Sequence, residues 1–90
     1  TSTVPQQYLF MLNSPFMITR AKAFSERLQK EEEDNPARIK QAYALLYGRA
    51  PTEEETQIGL AFLAEKSEKI PRLQQYTQVL LSSHEFIQVR

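Results

Sequence analysis

The hydrophobic pattern along this chain repeats at helical spacing from end to end, and no stretch alternates apolar and polar residues over a strand's length with β-branched enrichment. Capping residues divide the pattern. Thr3-Val4-Pro5-Gln6 predicts a first helix, with Thr3 as N-cap, Pro5 in the first turn and Gln6 closing back onto Thr3. It runs to about Leu12, and its all-apolar stretch from Tyr8 to Leu12 predicts burial on most sides. Ser14-Pro15 starts a second helix to about Glu32, with Met17, Ala21, Phe24 and Leu28 as its inward stripe. Asn35 as cap and Pro36 as first residue start a third, with Ile39, Ala42, Tyr43 and Leu46 inward and Gly48 as its left-handed stop. Thr52 and Glu55 have capping-box spacing and begin a fourth helix, where Ile58, Ala61, Phe62 and Glu65 share one face and Leu60 and Leu63 widen the apolar band, ending near Lys66. Pro71 opens a fifth, facing inward with Leu73, Tyr76, Thr77, Leu80 and Leu81. Ser82 or Ser83 then reads as a break before a last turn holding Phe86 and Val89.

The fold class is therefore all-α: a compact bundle of about five helices containing αα-hairpins. The hairpin of residues 36–66 is expected at its centre, with 3–32 packed against it. Residues 1–90 read as a single helical domain, a fragment of a larger protein, since the chain starts at Thr1 without a Met or a leader pattern. The run Glu31-Glu32-Glu33-Asp34 places four acids at a helix C-terminus, where the helix dipole disfavours them, and predicts a frayed, mobile connector.

Composition narrows the function classes. Eleven Lys plus Arg balance eleven Asp plus Glu, so no global field draws in nucleic acid or an anionic membrane. No apolar run approaches the roughly 20 residues of a membrane span. The absence of cysteine removes disulfides, thiolate metal sites and cysteine nucleophiles from this segment. His84 is the only histidine, and neither Ser82 nor Ser83 beside it sits in a nucleophile elbow, so it reads as a surface or helix-start residue. The contiguous acids lack the alternating ligands and the glycine of a calcium loop and read as a solvated charge run. Tyr8, Phe10, Tyr43, Tyr47, Phe62 and Tyr76 fall at helical spacing and read as core rather than as a stacking platform. With only Gly48 and Gly59, the chain has no glycine-rich phosphate loop.

No catalytic, cofactor-binding or metal residues are expected here. The residues that stand out are structural: Ser14, Gly48, Arg49, Thr52, Glu55 and Glu85. Arg49 is placed to reach the carbonyls ending the third helix, or to fork onto a carboxylate such as Glu55 or Glu85, pinning the hairpin to the C-terminal turn. The sharper alternative is an anion or partner site at the hairpin tip.

The run Val4-Pro5-Gln6-Gln7 through Leu9-Phe10-Met11-Leu12-Asn13-Ser14-Pro15-Phe16, then Gly48-Arg49-Ala50-Pro51-Thr52-Glu53-Glu54-Glu55 and Leu80-Leu81-Ser82-Ser83-His84-Glu85-Phe86, resembles the C-terminal part of the planctomycete-type domain DUF1553 over nearly the whole chain. That domain has no assigned function and ends large exported proteins that also carry a cytochrome c-like haem segment. The stretch from Ile39 to Phe86 is also similar to a helical module of surface-layer and adhesion-type bacterial proteins. The resemblance implies an extracytoplasmic setting, periplasmic or cell-surface, and a multidomain parent. Any haem would sit elsewhere in that parent, because its attachment needs Cys-x-x-Cys-His. The expected role is a non-catalytic docking module whose partner is the remainder of its own polypeptide, through an apolar patch of Leu9, Phe10, Leu45 and Tyr47. The alternative is a wall of a haem-linked redox or carbohydrate-active site built mainly upstream, and self-association through the acidic connector and the Tyr47 face is a third possibility.

Overall fold

The computed structural model describes residues 14–67 and 69–89, with side chains through Ser83. Among them are four helices and no strands: α1 (Pro15–Glu31), α2 (Asn35–Tyr47), α3 (Glu53–Ala64) and α4 (Arg72–Val89). The all-α class stands, and the four described helices correspond to the second to fifth of the expected ones. The first expected helix, over residues 3–12, lies outside the described residues.

Local chemistry sets the helix starts. Ser14 Oγ accepts the Met17 N–H at 3.1 Å, and Pro15 occupies the first position of α1, where no amide donor is needed. At α2 the cap is Asp34, one residue before the expected Asn35, and its carboxylate accepts the Ala37 N–H at 2.9 Å. A negative side chain at a helix N-terminus is the favoured arrangement, so the last acid of the run serves the next helix. Glu31 and the Glu32 backbone are tied down as well. Glu31 takes hydrogen bonds from Arg27 and from the Gln41 amide, and the Arg38 Nε donates to the Glu32 carbonyl at 3.1 Å. These ties are absent from a reading of charge alone.

The stripes of α1 and α2 land where the spacing puts them. Met17, Ala21 and Leu28 are buried on α1, and Ile39, Ala42 and Tyr43 on α2, with Phe24 and Leu46 half-buried between two clusters of core side chains. On α3 the expected face is only partly inward: Leu60, Phe62 and Leu63 pack against the core as read, and the rest of the face does not. Ile58 is 62% exposed, Ala61 and Glu65 are exposed, and the buried position is Gly59, flanked by half-buried Leu60, Phe62 and Leu63. A glycine carries no weight in a hydrophobicity pattern, yet here it makes the closest approach.

Helix α4 continues without a break through Ser82 and Ser83 to Val89. Serine is only a mildly poor helix former, and burial of Ser82 within the packed helix outweighs its preference for turns. Among the described residues this helix packs on α1, α2 and α3, as α2 of the hairpin packs on α1, α3 and α4, whereas α1 and α3 do not meet, so α4 shares the centre of the molecule with the hairpin. The longest pairing of α4 is with α1. There Ala21 and Thr77 are fully buried, and the Thr77 hydroxyl lies 2.9 Å from both the Ala21 and the Gln74 carbonyl oxygens. Small residues on both helices let the backbones come close enough for that contact. No helix among the described residues is long and apolar enough to cross a membrane.

Thr77→Val keeps the shape of the side chain and removes the donor shared between α1 and α4. A loss of about 1 kcal/mol in urea unfolding, at unchanged m-value, is expected; an unaltered midpoint would show that the hydroxyl is not holding the two helices together.

Candidate functional site

The corner between α2 and α3 carries the densest polar network among the described residues. Gly48, with φ of 70°, ends α2 in the left-handed conformation and sends its N–H to the Ala44 carbonyl. Thr52 and Glu55 then satisfy each other: the Glu55 N–H donates to Thr52 Oγ1 at 3.1 Å, and the Thr52 N–H donates to Glu55 Oε1 at 2.8 Å. Arg49 closes the corner. Its guanidinium donates to both Glu55 oxygens at 2.8 and 2.9 Å and to the Ala50 carbonyl at 3.0 Å, and lies 5.4 and 5.9 Å from the ring centres of Tyr43 and Tyr47.

The electrostatics follow from that geometry. The Arg49 fork, then the Thr52 N–H, hold the Glu55 carboxyl down to about 2, and Glu55 in turn pushes the Arg49 guanidinium above its ordinary value. The two acceptors that engage Arg49 lie inside the corner, at Glu55 and Ala50, rather than at the carbonyls that end α2. Glu85, the other carboxylate considered for it, lies beyond the described side chains, as does His84. Helix α4 passes through residue 84, so that position is not a helix start. Of the expected apolar patch, Leu45 is exposed, whereas the Tyr47 hydroxyl donates to the Leu80 carbonyl at 3.0 Å and its ring packs 5.1 Å from that of Tyr43. Tyr47 therefore clamps α2 to α4. Leu9, Phe10 and Tyr8 lie outside the described residues.

Beside the corner, α3 and α4 frame an apolar cleft of about 160 Å³, walled by Tyr43, Ile58, Phe62, Tyr76 and Val79, with Glu55 at its polar edge. Sequence reasoning missed it. The usable signal was Gly59, where an added Cβ would stand 2.7 Å from the Tyr76 hydroxyl and 2.8 Å from Ile39 Cδ1. The missing side chain is the space that the phenol occupies. Tyr76 is only 6% exposed, and its hydroxyl has no well-aligned hydrogen-bond partner among the described residues; its polar neighbour is the Tyr43 phenol. Burial first, then Tyr43, pushes Tyr76 well above the ordinary tyrosine range, and burial followed by Glu55 raises Tyr43. Both phenols are therefore protonated donors at neutral pH. Phe62 completes the wall, its ring 5.8 Å from that of Tyr76 and covered by the Arg72 guanidinium at 3.7 Å, while Arg72 Nε donates to the Phe62 carbonyl at 2.9 Å. The arrangement suits an apolar side chain or a small uncharged molecule, because its walls are carbon and its charges are already paired.

The family described as PSD1, protein of unknown function (DUF1553), matches over residues 1–63, which includes Ser14 and the whole corner from Gly48 to Glu55. No curated protein and no solved structure matches the chain.

Two measurements test the site. Gly59→Ala should destabilise by about 1–2 kcal/mol, because overpacking against Tyr76 and Ile39 exceeds the gain in helix propensity. Tyr76→Phe should recover part of that loss by removing the nearest atom, and additive costs in a double-mutant cycle would refute the contact. The second is a pH titration of the melting midpoint. Because the folded-state Glu55 value is depressed, its contribution is fully present above the ordinary glutamate range near 4.5 and is lost as pH falls toward about 2. The exposed setting and solvent screening keep this acid leg small and salt-sensitive. In Glu55→Gln the leg should flatten; an identical acid profile would remove the fork as its source.

Proposed function

The chain belongs to the PSD1 family of proteins of unknown function (DUF1553), and from that premise we propose that it acts as a non-catalytic helical docking module covering another part of a larger exported bacterial polypeptide. The observation that carries this reading is Ile58, a large aliphatic side chain left 62% exposed at the mouth of an apolar cleft. Exposing an isoleucine that the same helix could have turned inward costs hydrophobic stabilisation, and a contiguous apolar opening of this kind suits a contact surface. Phe16, 67% exposed on α1, and Leu45 on α2 add to the apolar surface available for cover. The exported setting follows from the resemblance of the sequence, and the absence of cysteine sends any covalent haem to other parts of the parent.

A second reading is favoured by Tyr76. A protonated phenol with unused hydrogen-bonding capacity behind an apolar wall suits one side of a haem or carbohydrate site whose reacting groups come from upstream.

The two readings separate in the parent polypeptide. Under docking, Ile58→Asp should leave helical content unchanged by circular dichroism while raising protease sensitivity at the covered surface several-fold, and removal of the segment equivalent to 1–90 should leave the parent's chemistry in place. Loss of chemistry from a parent that still folds would transfer support to the second reading. Unchanged protection in the Ile58→Asp parent would defeat docking through the cleft.

A further inference from the structure

A second groove runs between α1 and the start of α4, away from the Ile58 cleft. Its apolar floor is formed by Ile18, Ile70 and Leu73, with Ile18 39% and Ile70 40% exposed. Around the floor stand Lys22, Arg38 and Lys69 against the single acid Glu26, so among the described residues the lining carries three cations to one anion. That imbalance stands out in a chain whose total charge is zero. Arg38 spends part of its guanidinium on the Glu32 carbonyl and the Asn35 side chain, whereas Lys22 and Lys69 are exposed.

We propose that this groove is a second docking surface, built for an acidic amphipathic helix that sets aliphatic side chains against Ile18, Ile70 and Leu73 and carboxylates against Lys22 and Lys69. The inference rests on the reading of the domain as a docking module and adds the chemistry of a partner. Charge complementarity selects the occupant: a basic helix would oppose three cations, and a neutral apolar one would leave the two lysine heads without counter-charges. The apolar floor supplies contact area, while the flanking lysines set orientation and favour the right partner on encounter.

The test uses the labelled 90-residue chain and two synthetic helical peptides, one of leucine and glutamate and its twin with lysine in place of every glutamate. Amide shifts at Ile18, Lys22, Ile70 and Leu73 are expected with the acidic peptide alone, with binding weakened about tenfold between low and high salt. The exposed pair Lys22→Glu with Lys69→Glu should weaken the acidic peptide about tenfold and admit the basic twin, circular dichroism showing that the fold is kept. Equal binding of both peptides, no binding, or self-association of the chain through these residues overturns the proposal. Shifts confined to the Ile58 cleft overturn it as well, but leave the docking reading standing; that reading falls only with the protection result in the parent.

Discussion

The joining of the two core clusters depends on the contact between α1 and α4, where Thr77 meets the Ala21 carbonyl in a fully buried seam. Helix α4 packs on α1, α2 and α3 and contributes Tyr76 and Leu80 to one core cluster and Leu81 to the other, so its position bears on both at once. A larger residue at 21 or 77 would hold the helices apart, and Leu81 would then lose its place against Met17. The seam is narrow because its residues are small, and directional because one hydroxyl crosses it.

The α2–α3 corner solves a different problem. Reversing the chain within a few residues leaves backbone groups at two helix ends without partners, and Gly48, Thr52 and Glu55 answer them locally. Arg49 then joins the corner to the aromatic pair Tyr43 and Tyr47, whose second edge reaches α4 through the Tyr47 hydroxyl. A surface network is in this way coupled to the core by two rings. The fork orients the turn, and the rings carry that orientation inward.

The corner was legible in the sequence because capping is short-range: glycine at the stop and threonine with glutamate three residues on leave few alternatives. The stripes of α1 and α2 were legible for the same reason that amphipathic helices generally are, since Met17, Ala21, Leu28, Ile39 and Tyr43 recur at helical spacing. Four features were not. Asp34 took the cap from Asn35 because either side chain can accept the bond, and the choice rests on a shift of one residue. Gly59 was missed as the buried position of α3 because it is counted as nothing by hydrophobicity yet is selected by Tyr76, 17 residues away on another helix. The cleft itself is a product of that meeting, and nothing within α3 alone announces it. The unbroken run of α4 through Ser82 likewise reflects tertiary burial overriding a local preference.

The seam between α1 and α4 has a consequence for how the chain is ordered in time as well as in space. Ile39 and Gly59, which meet across the hairpin, are 20 residues apart, whereas Ala21 and Thr77 are separated by 56. By loop-closure entropy the longer closure costs about 1 kcal/mol more, before any contact offsets it. The hairpin is therefore the cheaper nucleus, and the seam is cheapest to close once the hairpin has shortened the loop between its two halves. The family match ends at Leu63, inside α3, so the matched stretch holds the hairpin's corner but not the helix that closes the seam. As a chain emerges in synthesis, its most local part forms first, and the buried face of α1 waits for its main cover until the 18-residue helix α4 arrives.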